Sequence, residues 1–104
     1  MTSNLDRVLA ALAEPTRRHV VDLLRDGPRR AGELARCAET SAPAMSRHLR
    51  VLRTGGLVEV VAVEGDARLR LYRLRQEPFA RLDEWLPKFW DDQLASFKAH
   101  AERS

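Results

Sequence analysis

The spacing of apolar residues changes at Gly55-Gly56, and this change limits the folds that the chain can adopt. Before the two glycines, apolar side chains recur every three or four residues, as in amphipathic helices. After them come a run rich in β-branched residues, 58–63, and an alternating segment, 68–71. These patterns are typical of β-strands, and Gly65-Asp66 between them suits a two-residue hairpin turn. We therefore predict a mostly α-helical chain with one small β-hairpin.

Four short helices are predicted before the hairpin and one long helix after it. Pro15 fits the first turn of the second helix, and Asp26-Gly27-Pro28 ends that helix. The turn at Glu39-Thr40-Ser41 offers a hydroxyl that can cap the fourth helix. The last helix is predicted to open at Pro78, and Pro87 within it should kink or restart it.

The fourth predicted helix, residues 41–54, has the charge pattern of a DNA-recognition helix, with three arginines and no acidic residue. At about 3.6 residues per turn, Met45, Leu49 and Leu52 share one face, and the arginines and hydroxyls lie opposite. Such a helix suits the DNA major groove, although a solvated basic face on a core helix has the same pattern. A short helix, a tight turn, this basic helix and a hairpin with arginines near its tip together predict a winged helix-turn-helix.

Charge and aromatic residues are unevenly distributed along the chain. Residues 1–75 hold 14 arginines against 9 acidic residues, whereas residues 76–104 hold 4 basic residues against 6 acidic ones. Five of the six aromatic residues also lie within residues 76–104. This distribution predicts contact with a polyanion through the first part and with protein through the second. Because a domain of 104 residues has a modest core, we expect dimerisation to cover these rings, the alternative being that they complete a monomer core.

Five short motifs follow one another along nearly the whole chain. They are residues 12–18 (LAEPTRR), 32–35 (GELA), 46–52 (SRHLRVL), 56–58 (GLV), and Gly65 with 72–74 (YRL). Together they resemble the corresponding segments of ArsR/SmtB-type winged-helix repressors. The resemblance implies a winged helix-turn-helix of order α-α-α-α-β-β-α that dimerises through its first and last helices. It also implies a bacterial homodimeric repressor that binds a near-palindromic operator in double-stranded DNA.

The resemblance divides this single domain, residues 1–104, between two tasks. The DNA-binding core is expected at about 15–75, and the dimerisation elements at about 4–13 and 78–102. The residues expected to contact DNA are Ser41, Ala42, Pro43, Ala44, Ser46, Arg47, Arg50, Arg68 and Arg70. The residues expected at the dimer interface are Leu5, Leu9, Trp85, Phe89, Trp90 and Phe97.

The DNA-contact residues are expected to take different roles. We assign Ser46 and Arg50 mainly to phosphates, and Arg47 to a phosphate or a guanine edge. Arg68 and Arg70 would hold the wing against the DNA backbone or minor groove, the alternative being a solvated strand face.

Other charged residues have simpler interpretations. Arg53 lies at the edge of the polar face, where it either contacts DNA or is a solvated charge. Arg29 and Arg30 are interpreted as loop charges rather than as contacts to flanking phosphates. His48 lies at the border of the apolar face, which favours a packed or hydrogen-bonded residue over a ligand or a base.

No metal or cofactor is predicted. The thiol site that some family members carry on the third helix needs two cysteines, and here those positions are Ala35 and Cys37. The zinc site on the last helix needs several ligands, of which this chain has only His100. Zinc and soft metals need about three or four nitrogen or sulfur ligands, whereas His19, His48, His100 and Cys37 lie on four separate segments.

Enzymatic activity is not expected, because the chain has no Gly-rich phosphate loop, nucleophile elbow or histidine–carboxylate pair at a readable spacing. The single cysteine excludes an internal disulfide and fits a reducing compartment. We interpret Cys37 as a small packing residue rather than a redox sensor. No membrane span or signal peptide is recognised, so we expect a cytoplasmic protein.

The sequence therefore predicts a sequence-specific DNA-binding transcriptional regulator that acts as a homodimeric repressor. Two alternatives remain, a nonspecific architectural DNA-binding protein and a protein-interaction module that has lost DNA binding. The modest net charge of +3 and the well-formed recognition helix count against the nonspecific DNA-binding protein. The acid-free basic helix counts against the protein-interaction module. The inducing signal has no readable pattern in the sequence.

Overall fold

The structure, a computed structural model, describes residues 4–103, including all of their side chains except those of residues 67, 89–100, 102 and 103. The element order is that predicted for a winged helix-turn-helix. The elements are α1 (Asn4–Leu12), α2 (Pro15–Leu24), α3 (Ala31–Cys37), α4 (Ala42–Thr54), β1 (Val58–Val63), β2 (Asp66–Leu74) and α5 (Gln76–Arg103).

Side-chain caps set the starts of α2 and α4. The Glu14 carboxylate accepts a hydrogen bond from the backbone N–H of Arg17 at 2.9 Å. The Ser41 hydroxyl accepts one from the backbone N–H of Ala44 at 3.2 Å, which confirms the predicted cap of the basic helix. After α2, Gly27 has φ +137°, a conformation that L side chains rarely adopt.

One hydrophobic core joins α1, α2, α3, α4 and β1. Its buried members in the described part of the chain are Val8, Ala11, Val20, Val21, Leu24, Leu34, Ala35, Met45, Leu49, Leu52, Leu57 and Val58. Met45, Leu49 and Leu52 are at most 2% exposed, which confirms the predicted apolar face of α4. The opposite face of α4 is therefore held outward by a well-buried anchor.

The wing is an antiparallel pair whose register changes near its tip. Residues of β1 and β2 pair regularly from Val58↔Leu74 to Ala62↔Arg70, but the next pair is Val63↔Asp66. Residues 67–69 therefore have no partner opposite, as in a β-bulge.

The turn of the hairpin is Glu64-Gly65, so the predicted turn at Gly65-Asp66 was wrong by one residue. Gly65 has φ +88°, which glycine adopts without strain. Asp66 instead begins β2, where its carboxylate accepts a hydrogen bond from the backbone N–H of Arg68 at 3.0 Å. Such a bond to the backbone two residues on forms an Asx-turn, which fits the unpaired residues 67–69 that follow, whereas Asp66 itself pairs with Val63.

The long helix α5 begins at Gln76, two residues before the predicted start at Pro78. Proline is tolerated there because the first N–H groups of a helix have no partner within it. Pro87 lies inside the same continuous helix, so the predicted restart does not occur.

Arg29 connects three elements at the base of the wing. Its backbone exchanges two hydrogen bonds with Tyr72 of β2, at 3.0 and 2.8 Å. Its guanidinium donates to the carbonyl of Leu23 at 3.1 Å and pairs with Glu33. Arg29 therefore has a structural role, which its interpretation as a loop charge did not include.

Two neighbouring arginines cap the C-terminal end of α1. Arg17 donates from Nε to the carbonyl of Ala11 at 2.7 Å, and Arg18 donates from Nη1 to that of Leu12 at 2.9 Å. The last carbonyls of a helix have no partner within it, so these bonds satisfy groups that would otherwise need water. This role was not predicted from the sequence.

Replacing Arg17 by alanine should lower the free energy of unfolding by about 1–2 kcal/mol, because hydrogen bonds that involve a charged donor are lost at the end of α1. Urea denaturation at a fixed protein concentration measures this loss. Arg25→Ala is the matched control. The Arg25 side chain is 73% exposed, and its Nη1 lies 3.7 Å from Oδ1 of Asp22. This substitution should lower the free energy of unfolding by less than about 0.5 kcal/mol. Equal losses in the two variants would contradict the capping role.

Candidate nucleic-acid interface

The predicted DNA-contact residues of α4 lie together on its outer surface. Six of them are exposed, and Ala44 is half-buried. The exposed ones are Ser41, Ala42, Pro43, Ser46, Arg47 and Arg50. This arrangement leaves one side of α4 and its N-terminal turn accessible. The DNA major groove is wide enough to admit such a helix.

The positive charges on α4 are not neutralised within the described part of the chain. Arg47, Arg50 and Arg53 take part in none of its ion pairs, and α4 itself contains no acidic residue. Such a concentration of free guanidinium groups attracts a polyanion.

The arginines at the base of the wing and those near its tip differ in their ion pairing. At its base, Arg73 lies opposite Glu59 in the strand register and donates to its carboxylate at 2.6 Å. Nearer the tip, Arg68 and Arg70 are exposed and form no ion pair with any described residue. The free charge of the wing is therefore at the tip, where contact with DNA flanking the major groove is expected.

His48 connects α4 to the start of α2. Its Nδ1 lies 3.7 Å from Oε2 of Glu14, and the two side chains are 20% and 35% exposed. The backbone N–H of Arg17, and more weakly the charges of His48 and Arg17, hold the pKa of Glu14 below its ordinary value. His48 is thus a half-buried residue at the edge of the core, as predicted.

The residues predicted at the dimer interface are only partly described. Leu9 and Trp85 are each 39% exposed, and Leu5 is half-buried. The side chains of Phe89, Trp90 and Phe97 lie outside the described residues. Since α1 packs against α5, Leu9 and Trp85 belong to two helices that lie side by side.

Cys37 is exposed, so its interpretation as a packing residue was wrong. It is the last residue of α3, a helix of about two turns, in which Leu34 and Ala35 are the buried residues. Within residues 4–103, the described side chains include no group of three or more histidine, cysteine, aspartate or glutamate residues that could hold a metal ion. The side chain of His100 lies outside the described residues.

None of the helices that the structure describes is both long enough and apolar enough to span a membrane.

Comparison with known proteins gives consistent matches. A family model described as a helix-turn-helix domain matches residues 12–61. The HTH-type transcriptional regulator Rv2034 of Mycobacterium tuberculosis is 40% identical over 92 residues, which cover 88% of this chain and 83% of that protein.

Two solved structures share the fold over most of the chain. The ArsR family transcriptional regulator RHA00566 has a TM-score of 0.75 and 29% identity, with 86% of this chain and 94% of that chain covered. The homodimeric winged helix-turn-helix DNA-binding domain of Mb0332 from Mycobacterium bovis has a TM-score of 0.65 and 32% identity. That match covers 88% of this chain and 82% of the Mycobacterium bovis domain.

Proposed function

This chain belongs to the ArsR family of winged helix-turn-helix transcriptional regulators, and we propose that it is a homodimeric repressor that binds a near-palindromic operator. The observation that carries the proposal is the exposed, acid-free face of α4, where Arg47 and Arg50 form no ion pair with a described residue. A dimer seated across a promoter represses by excluding the polymerase. It acts by binding rather than by catalysis, and it acts in the cytoplasm, where bacterial DNA lies.

In this proposal α4 enters the major groove. Its first residues, 41–44, approach the base edges, since recognition helices read bases with their N-terminal residues. Ser46 and Arg50 bind phosphates, and Arg47 binds a phosphate or a guanine edge. The buried anchor formed by Met45, Leu49 and Leu52 supports this assignment because it fixes the face that α4 turns outward.

The wing tip contacts the DNA beside the major groove through Arg68 and Arg70. Both guanidinium groups are exposed, and neither forms an ion pair with a described residue. Their placement near the bulge of the hairpin supports contact with the DNA backbone or the minor groove.

Dimerisation uses the elements at about 4–13 and 78–102, and the core at about 15–75 binds DNA. The exposure of Leu9 and Trp85 on adjacent helices supports this division, because dimerisation would cover both side chains. Leu5, Phe89, Trp90 and Phe97 complete the proposed interface. The two α4 helices then enter half-sites about 10 base pairs apart, or a multiple of that distance.

Fluorescence anisotropy with a duplex from the protein's own promoter tests the proposal. We expect affinity about a thousandfold higher for this duplex than for a scrambled one. Affinity should also fall by about a thousandfold or more between about 50 and 200 mM salt, because several phosphate contacts release counterions.

Two outcomes would contradict the proposal. Equal affinity for both duplexes would indicate a nonspecific DNA-binding protein, and sites selected from the whole genome would check whether the operator lies elsewhere. Failure to bind any duplex at low salt would indicate a protein-interaction module.

A further inference from the structure

A groove of about 460 Å³ lies between α1 and the C-terminal half of α4. Its volume falls within the range of about 300–1,000 Å³ that is usual for small-molecule sites. We call it the α1–α4 groove. Its apolar lining comes from Ala10, Ala11 and Val51, and its charged lining from Arg7, Arg17 and Arg50.

The proposed function does not explain why the side chain of Val51 is exposed. Among the described side chains, the large hydrophobic residues that are exposed are Leu9, Trp85 and Val51, the last at 41%. Leu9 and Trp85 belong to the proposed dimer interface. Val51 lies instead in the C-terminal half of α4, away from the N-terminal residues with which recognition helices read bases. An apolar ligand in the α1–α4 groove would cover it.

The groove is strongly cationic. Arg7 and Arg50 form no ion pair with any described residue, and none of the residues that line the groove is acidic. Arg17 donates to the carbonyls of Ala11 and Ala10 at 2.7 and 3.3 Å, and it keeps its positive charge. A guanidinium group offers parallel donors that match the two oxygens of a carboxylate. The lining therefore combines an apolar surface with anion recognition.

We propose that the α1–α4 groove binds a small amphipathic carboxylate, which competes with operator DNA for Arg50. The apolar body of the ligand packs on Ala10, Ala11 and Val51, and its carboxylate pairs with the guanidinium groups of Arg7 and Arg50. The competition rests on the proposed function, in which Arg50 binds an operator phosphate. By linkage, ligand and DNA then weaken each other's binding by the same factor.

Dimerisation through Leu5 and Leu9 leaves the groove accessible. On a helix that turns by about 100° per residue, Ala10 and Arg7 lie roughly 120° and 180° from the midline of Leu5 and Leu9. The α1–α4 groove and the proposed interface thus use different sides of α1.

Binding is tested first without DNA, by titrating sodium octanoate into the ¹⁵N-labelled full chain and recording amide NMR shifts. We expect saturable shifts centred on Arg7, Ala10, Val51 and Thr54. Sodium acetate has the carboxylate without the apolar body, and octan-1-ol has the body without the charge. Both should bind about tenfold or more weakly, and equal shifts with octan-1-ol would overturn recognition of the carboxylate.

Ala10→Leu provides the matched variant, because Ala10 is exposed and a larger side chain there fills the groove. It should weaken octanoate binding about tenfold or more. Ala13→Leu is the control, since Ala13 is also exposed but does not line the groove. Gel filtration confirms that both variants keep the oligomeric state of the parent. Unchanged octanoate binding in Ala10→Leu would overturn the proposed site.

Competition is tested by anisotropy with the promoter duplex, using sodium acetate to match the ionic strength. Saturating octanoate should weaken operator binding about tenfold or more, within the usual range of coupling between sites. Ala10→Leu should bind the operator normally but lose this response. NMR binding in the groove with no effect on operator affinity would overturn the competition. Failure of every duplex to bind would contradict the proposed function instead, and the NMR titration would still decide whether the groove binds the ligand.

Discussion

Replacing Arg47 and Arg50 together by alanine is expected to reduce operator affinity by about a thousandfold at physiological salt. A dimer loses four guanidinium contacts, and each contact to a base or phosphate contributes about 1 kcal/mol or more. Both side chains are exposed and unpaired in the described part of the chain, so their removal should leave the fold intact. Anisotropy titrations over a range of salt concentrations measure the effect.

The same titrations distinguish contact from general charge. Losing four phosphate contacts per dimer would reduce the slope of log affinity against log salt by about four, and a base contact from Arg47 would reduce it by less. Arg25→Ala with Arg75→Ala is the matched control, because it removes the same charge from exposed positions outside α4, the wing and the proposed dimerisation elements. If the control lost as much affinity as the α4 variant, α4 would not be the DNA-binding helix.

The apolar face of α4 was predictable because helical burial repeats over short distances. Thirteen residues are enough for the period to identify one face, and Met45, Leu49 and Leu52 are all buried as predicted. The cap at Ser41 was also predictable, since a capping hydroxyl and its N–H partner lie three residues apart. Features that depend on residues close together in the sequence are thus predicted well.

Two of the incorrect predictions concern a short helix and a hairpin turn whose position differs by one residue. The seven residues of α3 are too few for a period to separate a buried face from its flank, so Cys37 was interpreted as a small packing residue although it is exposed. At the wing tip, Asp66 is suited to a turn by residue type and does form an Asx-turn with the Arg68 N–H, but its backbone pairs with Val63 and so belongs to β2.

Contacts between separate elements left no periodic signal. The pairing of Arg29 with Tyr72 and the contact of His48 with Glu14 join residues far apart in sequence. The α1–α4 groove likewise forms only when two helices pack together. The composition of α4 therefore indicates what the helix binds, whereas the way in which that binding is regulated depends on its neighbours.

The anchoring of α4 leads to the second large effect, a loss of stability in Leu49→Ala. Leu49 is 2% exposed, so truncation removes apolar contacts and leaves a cavity, which costs about 2–5 kcal/mol. The melting temperature should fall by about 10 °C or more at a fixed protein concentration, which matters because dimerisation also affects it. Val51→Ala, two residues away and 41% exposed, should cost less than about 1 kcal/mol. Similar losses in the two variants would mean that α4 is not anchored through Leu49, and the outward face assigned to DNA would then be wrong.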